Sequence, residues 1–438
     1  MAIESYAFCL IYLILFIFIS ILQRRNYRSR RTPLSFFSLL WCIVGFFANL
    51  GIMDYENPSF FVNACIALGI IIFTVVFVLR TPRTKVILSD ERIFGNNEKI
   101  NYKWIIAVGG VCWAFMLPRF RNSMQIINLQ GYAFLRANLT NSELGISRGG
   151  LQDIIFAYMV EPAIIATAIL SFFLLFNHEE SRKKKYLLFF YALISVLAYA
   201  FTSAARGIII KYAFCFLFAL LVCRKKVISN FFKIPAVRYG LIIAAVVVLY
   251  ITFQRGTWGE RDSGLDSILR TFYVYYFSGP AYMTKLMENQ PLYGGFGQLL
   301  YGQATFGFLT NFISWILILF TGRNQGSLYL LGSVISNVYY NVAPTVRINA
   351  MYTCFYAFWI DWGYLGIIIG PAIIALYSAH LFKRVYNEGT YLDSVMYVFW
   401  LYILTRTVFK LDTTSVGITI VYLCMLLFTG RRVSSERN

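Results

Sequence analysis

Long apolar runs govern what this chain can fold into. About eleven recur along it, near residues 5–22, 34–53, 59–79, 104–118, 154–177, 186–204, 207–223, 239–254, 362–382, 394–410 and 413–430. Most approach the roughly 20 residues a helix needs to cross a hydrocarbon core. Backbone groups in lipid must be satisfied within the segment, so runs this apolar read as helices. Hydrophobic residues make up 59% of the chain and charged residues 13%, and the mean hydropathy is +0.64. No soluble domain of this size has that make-up. The expected fold class is an all-α polytopic membrane protein with about 11 transmembrane helices, forming a single integral membrane domain over residues 1–438. The first run lacks a small-residue cleavage site and is too long for a signal segment, so it reads as a permanent helix.

Charge orients the chain. The alternate loops 23–33, 80–103, 178–185, 224–238, 383–393 and the tail from Arg431 hold 25 of the 39 lysines and arginines but only 8 of the 20 acids. By the positive-inside rule these loops are cytoplasmic, which puts the N-terminus outside and the C-terminus inside. The net charge of +19 is therefore a topology signal, and no nucleic-acid partner is implied. Basic loops such as Arg24–Arg31 are suited to anionic membrane lipid. Two external loops follow from this topology, 119–153 and a large one at 255–361. The apolar stretch 306–320 within the second reads as an interfacial or re-entrant helix.

Much chemistry is excluded. The two histidines, His178 and His380, fall at cytoplasmic ends of spans, so an external serine-histidine-acid triad or histidine metal site has no residues to build on. No phosphate-loop, kinase or zinc motif is present. The eight cysteines show no paired spacing and read as small hydrophobes that pack helices. No metal and no cofactor is called for.

What the outer side offers is arginine, tyrosine and a few acids. Arg206 ends one apolar run and Gly207 opens the next, so it stands at a hairpin tip. A guanidinium at membrane depth is costly unless it faces water or a partner, and its planar fork suits phosphate. Arg255 likewise closes a run and precedes a glycine. Arg270 and Arg347 belong to the large loop, which is also crowded with tyrosines, among them Tyr352 and Tyr356. Tyrosine suits either an interfacial belt or stacking on sugar rings. Asp361 stands among aromatic residues at the start of the ninth run, where it either caps a helix or serves a site. Glu161, inside the fifth run, is an intramembrane acid and so a site candidate or the partner of a structural cation.

Three stretches carry a family resemblance. They are Ser203-Ala204-Ala205-Arg206-Gly207, then Phe253-Gln254-Arg255-Gly256 with Tyr276-Phe277-Ser278-Gly279-Pro280 downstream, and Asn349-Ala350-Met351-Tyr352-Thr353-Cys354-Phe355-Tyr356 running on to Asp361-Trp362-Gly363-Tyr364-Leu365-Gly366. Together they resemble the bacterial O-antigen, or oligosaccharide repeat-unit, polymerases. The third stretch departs from that family's pattern by an inserted Met351 and by Trp362 in place of Phe.

The resemblance implies a GT-C-like glycosyltransferase whose large periplasmic loop carries short helices. It implies a site on the periplasmic face of the bacterial inner membrane, and an undecaprenyl-diphosphate-linked oligosaccharide as substrate. Transfer would be metal-independent and inverting, and a chain-length-regulating co-polymerase would be a natural partner. Arg206 and Arg255 would stabilise the leaving diphosphate, with Arg347 and Arg270 as helpers. Asp361 would orient or deprotonate the acceptor hydroxyl, with Glu161 in reserve, while Tyr352 and Tyr356 would contact sugar. Two rivals stay open, an O-antigen ligase and a lipid-linked oligosaccharide transporter or flippase.

Overall fold

The computed structural model describes residues 2–27, 32–81, 100–139, 155–176, 181–204, 207–222, 265–289, 299–321, 338–344, 346–349, 351–387 and 390–429, with residues 242 and 246. Among the described residues, fourteen helices follow one another: α1 (Ala2–Asn26), α2 (Leu40–Ala48), α3 (Phe60–Arg80), α4 (Tyr102–Ala137), α5 (Glu161–Phe176), α6 (Arg182–Thr202), α7 (Gly207–Val222), α8 (Leu265–Phe277), α9 (Gly279–Asn289), α10 (Gly307–Thr321), α11 (Thr353–Trp362), α12 (Gly366–Asn387), α13 (Tyr391–Arg406) and α14 (Val416–Phe428). Single π-helical turns precede α2 (Ser35–Leu39) and α5 (Phe156–Val160).

Among the described residues, six helical stretches are long and apolar enough to cross a membrane: Ile3–Asn26, Phe60–Arg80, Tyr102–Tyr132, Tyr158–Leu175, Arg182–Thr202 and Thr353–Tyr386. Ser35–Ala48, Gly207–Val222 and Val416–Phe428 are shorter apolar helices. The chain is a helical membrane protein. The expected run 239–254 lies outside the described residues apart from Ile242 and Val246.

Two expectations are corrected, and the all-α class holds with one small addition. The first expected loop, 119–153, begins as helix, because α4 carries on through Pro118 and reaches Ala137 with a break only at Gly131 (φ 85). Apolarity ends near residue 118, but backbone hydrogen bonding does not. The ninth span does not begin at 362. Its helix starts at Thr353 and is broken by a 3-10 turn at Gly363–Leu365. The expected all-α class also meets an exception, an antiparallel hairpin of β1 (Tyr340–Ala343) and β2 (Val346–Ile348), which pairs Tyr340 with Ile348 and Asn341 with Arg347. The stretch expected at 306–320 is α10.

The chain forms two compact units. The first comprises Met1–Ile87, Trp258–Tyr386 and Ile403–Val416, and the second comprises Leu88–Thr257, Asn387–Tyr402 and Gly417–Asn438. In the first unit, α1, α2 and α3 are joined by polar bonds within an apolar bundle. The Tyr12 hydroxyl donates to Asn63 at 3.1–3.2 Å, and the amides of Asn49 and Asn63 bond reciprocally at 2.8 and 2.9 Å. Such bonds hold helices where lipid supplies no hydrophobic drive. Phe37 stacks on Phe73 at 4.2 Å, and Trp41 donates to Thr407 at 3.0 Å. In the second unit, α4 is tied to α6 by Trp113 to Ser195 (3.1 Å), Ser123 to the Thr202 carbonyl (3.2 Å) and Tyr132 to the Ala200 carbonyl (3.4 Å).

Candidate functional site

In the first unit, the last turn of α11 sets Asp361 wholly out of solvent. One carboxylate oxygen accepts the Ala304 N–H at 2.9 Å. The other accepts the Thr305 N–H and the Thr305 hydroxyl, both at 2.7 Å. The backbone repeats the contact, since the N–H groups of Leu300 and Tyr301 donate to the carbonyls of Ile360 and Asp361 at 3.0 and 2.9 Å. Asp361 thus caps no N-terminus of its own helix. It clamps the turn that leads into α10, the best use of a carboxylate among backbone donors. The neighbouring glycines have local reasons too. Gly363 lies at φ 59, and a Cβ on Gly366 would overlap the Phe358 carbonyl.

Two of the three sequence stretches meet in this unit. Gly279 sits where a Cβ would come within 2.7 Å of the Val408 carbonyl and 3.1 Å of the Thr353 side chain. The Thr353 and Cys354 N–H groups donate to Phe409 and Thr407 at 3.0 and 2.9 Å. Around this junction lies a buried aromatic cluster. Tyr352 meets Tyr356 edge-on at 6.2 Å, Tyr356 stacks on Trp359 at 5.8 Å, and Tyr282 lies 5.9 Å from Tyr340. The Tyr356 hydroxyl is buried and has no hydrogen-bond partner among the described residues.

Cations stand on the adjoining elements α13, β2 and α8. Arg406 grips Asp412 (Nε 3.0 Å, Nη2 3.5 Å) and lies 5.2 Å over Phe409, whose ring meets Tyr276 at 5.2 Å. Arg347, on β2, lies 5.2 Å over Tyr339. Arg270, on α8, acts on Tyr55, whose phenol is pushed up to about 12 by burial, with the guanidinium partly offsetting that rise. Burial likewise raises Tyr276, against the pull of Arg406. The sequence reading did not single out Arg406. The signal was present in an acid six residues on and an aromatic three residues on, both across a helix end.

The second unit holds Glu161. It opens α5 directly after the π-turn, accepts the Tyr199 hydroxyl at 3.2 Å, and forms an ion pair with Lys211 of α7. The partner is therefore a lysine. Tyr199 stacks on Phe156 (5.2 Å, 14° between planes), and the guanidinium of Arg119, itself 9% exposed, lies 4.3 Å over that same ring. The Ser203 hydroxyl donates to the Tyr199 carbonyl at 2.7 Å, and Ala204 has φ 46, which strains a residue bearing a Cβ. Arg206 and Arg255 lie outside the described residues. Among the described residues, no three His, Cys, Asp or Glu side chains are grouped to hold a metal ion.

No protein-family model, no curated protein and no solved structure matches the chain.

Proposed function

We propose that this protein is a glycosyltransferase of the membrane that lengthens an oligosaccharide carried on a polyprenyl diphosphate, working at the outer face of a bacterial inner membrane. In this reading about eleven helices span the bilayer, as in GT-C-like enzymes. The observation that best supports the reading is the junction in the first unit. There the Tyr276–Pro280 turn packs on the Met351–Tyr356 segment beside Arg406. Aromatic side chains with guanidinium groups on the adjoining elements are the group types that a sugar leaving from a diphosphate calls for.

In the reaction, the acceptor hydroxyl attacks the anomeric carbon from the face opposite the diphosphate. The new C–O bond forms as the bond to the diphosphate oxygen breaks, which inverts the centre. The diphosphate already carries two negative charges and one more builds on it as it leaves, and Arg206 and Arg255, with Arg347 and Arg270, take up that charge without a metal. Tyr352 and Tyr356 receive sugar. An acceptor hydroxyl that reached Asp361 would take over the place of Thr305 Oγ1, so in the resting arrangement Asp361 positions the 301–305 turn. Its role as base requires that exchange. Glu161 is the second acid able to take a proton.

The test is the phenotype of a strain lacking the protein. Glycolipid with a single repeat unit is the expected product. Bare core points to a ligase and overturns the proposal. Restoring the gene as Arg206→Lys keeps the charge and loses the fork, and should leave chains short. A transporter draws support from the intramembrane Glu161–Lys211 pair, and accumulation of lipid-linked units on the cytoplasmic face would favour it instead.

A further inference from the structure

The second unit holds a small cavity among three of its helices. Gly109 and Cys112 of α4, Thr167 of α5, and Tyr191 and Ser195 of α6 line it. All five lie well inside stretches long and apolar enough to cross a membrane. The cavity measures about 10 Å³. That is room for the centre of one water molecule and for little else. Three of its lining side chains are hydroxyls, at a depth where polar groups are costly unless paired. Ser195 is 1% exposed and Thr167 is 5% exposed, so bulk water does not reach them.

These hydroxyls already bond to protein, and that bonding fixes what each can offer. Thr167 Oγ1 donates to the Ala163 carbonyl at 2.8 Å, and Ser195 Oγ accepts the Trp113 ring N–H at 3.1 Å. The Tyr191 hydroxyl interacts with Ser195 and Trp113 as well. A hydroxyl gives one proton and can accept two. Thr167 therefore keeps acceptor capacity after its proton goes to Ala163, while Ser195 and Tyr191 bring both protons and lone pairs. Gly109 reserves the place of the phenol tip, because a Cβ there would come within 2.2 Å of the Tyr191 hydroxyl.

We propose that this cavity binds one structural water, which bridges Thr167 of α5 to Ser195 and Tyr191 of α6 beside Gly109 of α4. The water donates to Thr167 Oγ1 and accepts from the α6 hydroxyls, within the two to four partners that a buried water needs. A methyl group in the same space would face three hydroxyl oxygens and make none of those bonds. Hydrocarbon supplies no competing water, so such a bridge holds helices together as a direct bond does. The inference is independent of the glycosyltransferase reading, since it concerns only the packing of α4, α5 and α6.

The experiment is hydroxyl-radical labelling by X-ray radiolysis, on the full chain in phosphatidylcholine nanodiscs, read by mass spectrometry. Radicals form from water in place, so a side chain buried in the bilayer is labelled where a water is held against it. Cys112, 3% exposed, is the reporter, and Cys42 and Cys65, 1% and 6% exposed, are comparators of similar burial. Cys112 should be oxidised about threefold faster than either comparator, or more, if one water is held against it. Thr167→Val keeps the shape, removes the acceptor, and should bring Cys112 down to the comparator rate. Ser195→Ala should do the same and serves if Thr167→Val does not fold. Gly109→Ala, which displaces the Tyr191 hydroxyl, should also slow the reporter. Labelling of Cys112 no faster than Cys42 and Cys65 overturns the proposal. Fast labelling that persists unchanged in Thr167→Val and Ser195→Ala marks a leak of bulk solvent and overturns it too.

Discussion

Asp361 and Glu161 are both acids set among apolar helices, one in each unit, and they are held in opposite ways. Asp361 is wholly buried and takes two backbone N–H donors and a hydroxyl from a turn 56–57 residues away. Glu161 keeps a quarter of its side chain exposed, accepts the Tyr199 hydroxyl and pairs with the Lys211 ammonium. Two acids set among apolar helices are thus anchored differently, one through main-chain donors that hold a turn and the other through side chains of neighbouring helices.

The largest effect should come from Asp361→Ala. It strands two buried N–H groups and a hydroxyl, and a loss of about 3–5 kcal/mol is expected. Thermal unfolding in detergent reads it, and Asp361→Asn, which keeps one acceptor, should lose about half as much. Equal losses at Asp361 and Glu161 would erase the distinction drawn above.

A double-mutant cycle sharpens the other half of the comparison. Lys211→Met and Glu161→Gln should each cost about 1–2 kcal/mol, discounted because both groups are partly exposed. The double variant should recover about 1 kcal/mol of their sum, since neither charge is then left alone. Additive losses would mean that the pair is not coupled.

Alkaline pH separates a third group. Burial holds the Tyr55 phenol at about 12 in the folded chain, against 10.0 for the free group. The unfolded chain therefore releases this proton first. The contribution of Tyr55 is complete below pH 10 and is lost as pH rises from about 10 to about 12. Tyr55→Phe should flatten that part of the thermal midpoint curve, and an unchanged slope would show that other phenols dominate it.

The smallest effect is expected at Tyr356. Its hydroxyl is buried without a partner among the described residues, so Tyr356→Phe should leave stability unchanged or raise it by up to about 1 kcal/mol. A clear loss of stability would reveal a bond to another group. Slower sugar transfer at intact stability would assign the hydroxyl to substrate.

The apolar runs made most of the helices legible, because hydrocarbon-length segments leave the backbone few options. The run at 104–118 marked only the first part of α4. Its continuation carries Arg119, Arg121 and Asn122, and no hydropathy signal distinguishes a polar helix from a loop there. The Met351–Gly366 stretch stood out in the sequence, but the partners of its aspartate lie in a turn 56–57 residues away and could not be read there. The Glu161–Lys211 pair left a readable trace. Each is a lone charge near the start of its run, the fifth and the seventh, which run in the same direction, and opposite charges so placed are natural partners. Arg119 left none, since its partner is a ring.

The account stands or falls on sugar transfer from a lipid diphosphate by this chain. Purified protein in nanodiscs, given a defined polyprenyl-diphosphate-linked oligosaccharide and excess EDTA, should produce a ladder of products each longer by one repeat unit. Arg206→Lys should cut its rate by on the order of tenfold or more. A wild-type reaction that returns only the starting unit, under conditions where the protein is folded and binds the lipid, would contradict it.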